Sequence, residues 1–351
     1  MEDRKAAGLE NTVGGLEAVI INVEPEHFAP AVSELLLYTG HEPKALFEEP
    51  EAVTAVLASP AAVAGSAEIL VRHRKGVPGP FRAANEGPKS RHLPETRLET
   101  FVFRVPDLER YAAIQREQGV TFMTPGPVRM GNRLFLQTAP SPYTGNSLGF
   151  VQWLGNERDW ASEAASPVTP GPATPSMEKP RRPFQANILG IDHSATRVKA
   201  EERDLAIVEF MRLTNYNFQF AVYVESLNSI TNVARLSQGD YAQVFTSGIA
   251  PFTDLEHSGP TERFIHNYGT RVHHLAFNTE HIDETFAALK AEGMGFLVDL
   301  VGSREEGLKQ TFSEASPHTF LVNEYIHRFD GFDGFFTKSN VTLLTKATEK
   351  Q

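Results

Sequence analysis

Cysteine is missing from all 351 residues, which excludes disulfides, thiolate zinc sites and thiol nucleophiles. Apolar stretches are short as well. Nowhere do about 18 apolar residues run together, the length a membrane-spanning helix needs, and residues 1–15 carry no apolar export segment. Positive charge is in deficit, with 33 Lys and Arg against 44 Asp and Glu, a formal net charge of -11. Nucleic acid and anionic membrane surfaces would repel such a chain, and no basic stretch interleaved with aromatics offsets the repulsion. The expectation is a protein of the reducing cytoplasm that acts on a small molecule.

What is present is a chain long enough for two domains, and it repeats itself. The segment TRLETFVFRVPDLERYAAIQREQG (96–119) aligns without a gap under TRVHHLAFNTEHIDETFAALKAEG (270–293), matching at Thr96/Thr270, Arg97/Arg271, Phe103/Phe277, Ala113/Ala287 and Gly119/Gly293. A second pair, GLEAVIINV (15–23) and GIDHSATRV (190–198), matches at Gly15/Gly190 and Val23/Val198. On both sides the order is strand, helix, several strands, then again strand, helix and strands. Such self-similarity indicates an internal duplication. The proline-rich stretch between the halves has no apolar periodicity and reads as a linker or surface connection over residues 156–186.

The duplication supplies its own control. Ala18 stands in the first copy where His193 stands in the second, and Thr100 where His274 stands. A scaffold that folds with Ala and Thr at these positions does not need imidazoles there for packing. Near the end, the strand-like HTFLVNEYIHRF (318–329) places Val322, Glu324 and Ile326 on one face by alternation. A carboxylate between apolar neighbours is costly to bury unless a cation or donor meets it. The first-copy strand LGFVQWLG puts the neutral Gln152 in that place. Two imidazoles and one carboxylate on separate strands make a facial triad, with open positions for substrate and oxygen. His273 and His274 are adjacent, so alternation lets only one of them face a given cavity. His273 opposes Glu99 in the alignment and is expected to face away or to line a neighbouring wall.

These residues resemble the vicinal-oxygen-chelate superfamily and, within it, the 4-hydroxyphenylpyruvate dioxygenase group. GIDHSATRV is similar to that family's first ligand strand, RVHHLAFNTEHI to its GxQHIAxxTxDI segment, FLVNEYIHR to FxEIIQR, and GFFTKSNVTLLTKATE to the tail that opens its closing helix. The resemblance implies an α+β fold of two tandem modules of paired βαβββ units, each a curved mixed sheet covered by helices. A degenerate N-terminal module would span residues 14–155. The active site would lie in the C-terminal module, residues 187–351, whose final helix near 338–349 closes it. It also implies Fe(II) held by His193, His274 and Glu324, and an assembly of two or four identical subunits. SLNS matches the family's GLNS and suggests Ser229 as a substrate-side hydroxyl; KQTFSEASP resembles LQIFTKP and suggests Gln310 beside a keto acid. Phe332, Phe335 or Phe336 would form the aromatic wall, with Asn340 nearby on the closing helix. Ile249, in GIAP where the family has INEP, and His273, in place of a Gln, depart from the pattern in the direction of an altered substrate.

The implied activity is oxidative decarboxylation of an aryl or related 2-oxo acid by dioxygen, with oxygen entering the substrate's own side chain. An extradiol ring-cleaving dioxygenase shares the ligand set and would want His257, His266 or Tyr241 near the metal. A glyoxalase-type isomerase draws ligands from both modules, which Ala18 and Thr100 preclude. A binding protein that keeps the fold without catalysis is the alternative from another class.

Overall fold

The structure is a computed structural model that describes residues 2–63, 66–169, 171, 174–332 and 334–351. The first half runs β1 (Leu16–Asn22), α2 (Pro25–Tyr38), β2 (Glu42–Glu48), β3 (Ala52–Ala58), β4 (Glu68–Arg74), β5 (Arg97–Arg104), α3 (Leu108–Glu117), β6 (Val128–Met130), β7 (Arg133–Gln137) and β8 (Ser147–Trp153), after a short α1 (Glu2–Ala6). A two-residue β9 (Ser166–Pro167) follows. The second half runs β10 (Ile188–Arg197), α4 (Arg203–Leu213), β11 (Asn217–Val224), β12 (Ser229–Arg235), β13 (Ala242–Ser247), α5 (Pro260–Tyr268), β14 (Arg271–Thr279), α6 (Ile282–Ala291), β15 (Val301–Ser303), β16 (Leu308–Phe312), β17 (Val322–Arg328) and α7 (Lys338–Ala347). Local chemistry marks the boundaries. Asp107 caps α3 by accepting from the Arg110 N–H, and α3 and α6 are both followed by glycines at positive φ, Gly119 at 82° and Gly293 at 93°.

Each half makes one sheet. The first has the order β6-β7-β8-β5-β1-β4-β3-β2-β9, and the second, read from its far edge, β15-β16-β17-β14-β10-β13-β12-β11. With β9 set aside the two orders are the same, strand for strand. The registers agree too: Ala18 pairs with Val102 and Glu68, and its counterpart His193 pairs with Ala276 and Ala242. This is the α+β pair of tandem modules.

The outer faces of both sheets and the helices share one apolar core, which includes Val19, Phe101, Phe103 and Phe150 from the first half and Phe210, Phe245, Leu275 and Tyr325 from the second. Arg97 and Arg271 stitch the halves reciprocally. Arg97 donates to the Thr270 carbonyl at 3.2 Å and Arg271 to the Thr96 carbonyl at 2.6 Å. Both guanidiniums are buried, so each satisfies an acceptor at the duplicated position of the other copy.

The inner face of the first sheet is filled. Ala18, Ile20, Phe47, Val56, Leu70, Val102 and Val151 pack with Trp160, which comes from the segment between the halves. Trp160 is 4% exposed and its indole N–H donates to Glu68 at 2.5 Å. Replacing Trp160 with Ala should open a cavity and cost about 3 to 5 kcal/mol of stability, read by urea unfolding, while the metal content of the folded protein stays as in the wild type.

Candidate metal centre

His193 on β10, His274 on β14 and Glu324 on β17 converge from three adjacent strands of the second sheet. Their ligand atoms all lie within 4.8 Å of one another and all three residues are buried. Register explains the convergence: Ala276 pairs with His193 on one side and with Glu324 on the other, and His274 opposes Ala195. The Nε2 atoms of His193 and His274 stand 3.1 and 3.2 Å from the same Glu324 oxygen. The other Glu324 oxygen, Oε1, has no hydrogen-bond partner, an omission that buried carboxylates rarely tolerate without a cation.

Two β-bulges orient the imidazoles. The pairing of β10 with β14 slips between Ile191 and His193 and again between Ala195 and Thr196, where the partner skips from His274 to Val272. The first slip brings the Asp192 carboxylate to 2.7 Å from His193 Nδ1, and Arg328 holds Asp192 from behind at 2.6 and 3.0 Å. At the second slip the residue that alternation would turn away is His273. Instead it lines the same cavity as His274, and its Nδ1 lies 2.8 Å from His274 Nδ1. With His274 Nε2 reserved for a cation, His274 donates through Nδ1–H, His273 accepts, and His273 Nε2–H donates to the Gln351 side chain at 2.8 Å. Both candidate ligands thus have Nδ1 engaged and Nε2 aimed inward, the arrangement that fixes a metal-binding tautomer.

Electrostatics follow the same plan. Burial pushes His193 down, but Glu324 and Asp192 outweigh it and raise the imidazole to about 9. Burial, with His273, His193 and Arg197 beside it, holds His274 well below its ordinary value. Asp192 is kept well below the usual carboxylate range, since Arg328 and His193 overcome its desolvation.

A cavity of about 50 Å³ is lined by His274 and Glu324 of the three. Arg197, Ser229, Thr231, Thr261, His273 and Gln310 supply its polar lining, and Phe312, Phe336, Val341 and Leu344 much of the rest. Gln310 is fully buried with both side-chain polar atoms unpartnered. Phe335 edges His193 at 5.4 Å and Phe336 at 4.5 Å. The other aromatic candidate, Phe332, lies instead against Gly307 and Gly334, in a separate hollow with Asp192 and Arg328. Asn340 is buried against Gly302 rather than in the cavity lining, and Ile249 is 39% exposed on the loop after β13. A larger cleft of about 490 Å³ between the two modules contains none of the three converging residues.

No family model and no curated protein sequence matches the chain. Solved structures do. A triple mutant of 4-hydroxymandelate synthase from Streptomyces coelicolor aligns with a TM-score of 0.68 at 17% identity, over 96% of this chain and 99% of that one. A fusion of a xylose isomerase-like TIM barrel with 4-hydroxyphenylpyruvate dioxygenase gives 0.60 at 15% identity, over 96% of this chain and 52% of the fusion. The Mn(II)-bound glyoxalase from Novosphingobium aromaticivorans gives 0.52 at 11%, over 91% and 83%. The chain has the paired vicinal-oxygen-chelate fold.

Within that fold the first module has no equivalent cluster among the described residues. Ala18 and Thr100 occupy the histidine positions, and Thr100 accepts from Gln137 at 2.9 Å. Its counterpart to Glu324 is not Gln152, as the sequence suggested, but Gly149, because Val102 pairs with Gly149 as Ala276 pairs with Glu324. A Cβ on Gly149 would sit 3.1 Å from both Phe135 and Val102, so a side chain there would crowd its neighbours. Gln152 instead accepts from the Leu108 N–H at the start of α3. Glu99, opposite His273, is no ordinary strand residue either, being a fully buried carboxylate paired with Arg72 and Arg74.

Sequence reasoning missed Asp192 and Arg197. Asp192 is adjacent to His193, where alternation hides it unless the bulge is foreseen. Arg197 shares the odd-numbered face of β10 with His193 and Ala195 and was legible by counting.

A divalent cation entering the cluster must displace the His193 proton, so its affinity should rise about tenfold per pH unit up to about 9 and then level off. Calorimetry in buffers of different ionisation heat should register close to one proton released per ion at neutral pH. Without metal the sign reverses: that proton's stabilisation is complete below the ordinary value of 6.5 and is lost as pH climbs through about 9. Asp192→Ala should weaken metal binding by about 10- to 100-fold.

Proposed function

We propose that the protein is a non-haem Fe(II) dioxygenase that oxidatively decarboxylates a 2-oxo acid and hydroxylates it. The observation that carries this reading is the cluster itself: two imidazoles with Nε2 turned inward and one carboxylate with an unpartnered oxygen, beside a cavity. Two histidines and a carboxylate on one side of a site, with room opposite, suit non-haem iron. Likeness to 4-hydroxymandelate synthase and to the 4-hydroxyphenylpyruvate dioxygenase fusion lends support to the reaction class.

In the reaction, R–CH2–CO–COOH and O2 become R–CH(OH)–COOH and CO2. The substrate supplies two electrons by losing CO2; one oxygen atom enters the new carboxylate and the other the adjacent carbon. Iron, held by His193, His274 and Glu324, would supply the point at which keto acid and dioxygen meet. The remaining work belongs to the chain. Asp192 holds a proton on His193 Nδ1, His273 accepts one from His274 Nδ1, and each keeps its neighbour's Nε2 facing inward. Gln310, buried and unpartnered, would donate its amide to a substrate oxygen. Phe336 with Val341 and Leu344 of α7 lines the cavity with apolar surface and would help to exclude water around a bound substrate.

The ring-cleavage reading loses ground on placement. His257 is exposed and paired with Asp254, His266 stacks on Phe252, and the Tyr241 hydroxyl bonds Ser194 and Gln243; none lines the cavity.

Anaerobic reconstitution with Fe(II), then oxygen uptake and CO2 release across a panel of 2-oxo acids, tests the proposal. Wild-type protein should take up one equivalent of iron and release CO2. His274→Ala and Glu324→Gln should lose at least about 100-fold in metal affinity and all turnover above background. Gln310→Ala should keep its iron yet lose about 10- to 100-fold in kcat/KM; unchanged kinetics would remove Gln310 from the site. Iron without keto-acid consumption would transfer the case to another dioxygen chemistry, and absence of metal binding would leave a binding protein.

A further inference from the structure

Arg197 raises a question that the three metal-binding candidates do not answer. It lies on the same face of β10 as His193, two residues (roughly 7 Å along a strand) beyond Ala195, which opposes His274. Its side chain lines the same cavity as His273, His274, Gln310 and Glu324. It is 4% exposed, and its Nε has no partner. Its one hydrogen bond is a long contact of 3.4 Å to the Pro260 carbonyl, and the guanidinium rests 4.6 Å over the Phe264 ring. Among the described residues no carboxylate forms an ion pair with it. Glu262, whose field reaches Arg197, is spent on the Gly248 N–H at 2.7 Å. A guanidinium buried without a counter-ion is expensive, and its fork geometry suits a carboxylate.

Around it the cavity is rich in hydroxyls. Ser229, Thr231, Thr246 and Thr261 all face in, with Ser229 Oγ and Thr261 Oγ1 3.4 Å apart and Thr246 Oγ1 unpartnered. Val244, Phe336, Val341 and Leu344 give the rest of the lining an apolar character. Charge balance points the same way. A divalent ion and Arg197 together exceed the single carboxylate of Glu324 by two charges; a 2-oxo monoacid cancels one, a 2-oxo diacid both.

We propose that the substrate is a short 2-oxo dicarboxylic acid whose far carboxylate is received by Arg197, with Ser229 and Thr261 as supporting donors. The inference rests on the 2-oxo-acid reading above and narrows its substrate class. With a five-carbon diacid the balance is 2-oxoglutarate plus O2 giving CO2 and a hydroxylated four-carbon diacid.

The test compares 2-oxoglutarate and 2-oxoadipate with 2-oxovalerate, 2-oxohexanoate and phenylpyruvate, in two readouts on the full chain. One is kcat/KM for CO2 release by the Fe(II)-loaded protein; the other is calorimetric affinity for the Zn(II)-loaded protein, which needs no turnover. The diacids should be preferred by at least about 100-fold in both, and Arg197→Gln should collapse that ratio to within a few-fold of unity. Arg197→Lys, which keeps the charge but not the fork, should fall between. Equal affinity for diacids and monoacids in the wild type would overturn the proposal even if no variant folds. So would a preference that survives Arg197→Gln. If diacid binding depends on Arg197 but no keto acid yields CO2, the anion site stands and the dioxygenase reading falls.

Discussion

Glu324 is a carboxylate enclosed between two imidazoles, and positive charge has to meet it. Without metal, His193 carries that charge as a proton; with a divalent ion bound, the proton leaves. The same logic extends outward from His193, because Asp192 answers the imidazolium and Arg328 answers Asp192. Opposite charges therefore alternate along Arg328, Asp192, His193 and Glu324, so that none is buried alone. Removing any one member strands its neighbour, and for that reason the outer pair matters to the inner one.

This alternation depends on backbone irregularity. Regular strands would turn Asp192 and His273 to the far side of the sheet. The bulges rotate each back beside its neighbouring histidine, and the first module has slips at the matching places, between Leu16 and Ala18 and between Ile20 and Ile21. There the same geometry is put to a different use. Glu17, the counterpart of Asp192, takes Arg104 and the Trp153 indole N–H, and Glu99, the counterpart of His273, takes Arg72 and Arg74. The bulged backbone is thus common to both modules and independent of any metal; three side chains convert it into a candidate ligand set.

Much of this was legible. Gap-free alignment of the repeats gave the equivalence of Ala18 with His193 and of Thr100 with His274, and the sheet registers agree with it. The closing strand was harder, because the turn between β6 and β7 (131–132) is two residues shorter than its counterpart between β15 and β16 (304–307), and LGFVQWLG offers a polar Gln152 that attracts the eye. Only the pairing partner, Gly149, reveals that the first site is sterically crowded. Bulges hid the roles of Asp192 and His273, since a one-residue slip leaves no mark in a single sequence. The proline-rich segment read as a connection, and Trp160 within it reads as an ordinary aromatic until its landing place on the first sheet is known.

A shared fold at 17% identity is what this construction permits. The sheets need apolar alternation and a few bulges, and the first module folds with Ala, Thr and Gly where the second has its candidate ligands. Backbone similarity therefore constrains the metal-binding geometry loosely and the substrate hardly at all. On the reading proposed above, substrate selection falls to side chains that the fold leaves free to vary: Arg197 at the end of β10, Ser229 and Thr231 on β12, and Thr261 on α5. A buried cation among hydroxyls discriminates strongly between ligands that match it and ligands that do not, because an unmatched ligand leaves the charge unpaired. The identity of one strand residue four places from His193 can thus outweigh the likeness of the whole backbone in deciding what enters the cavity.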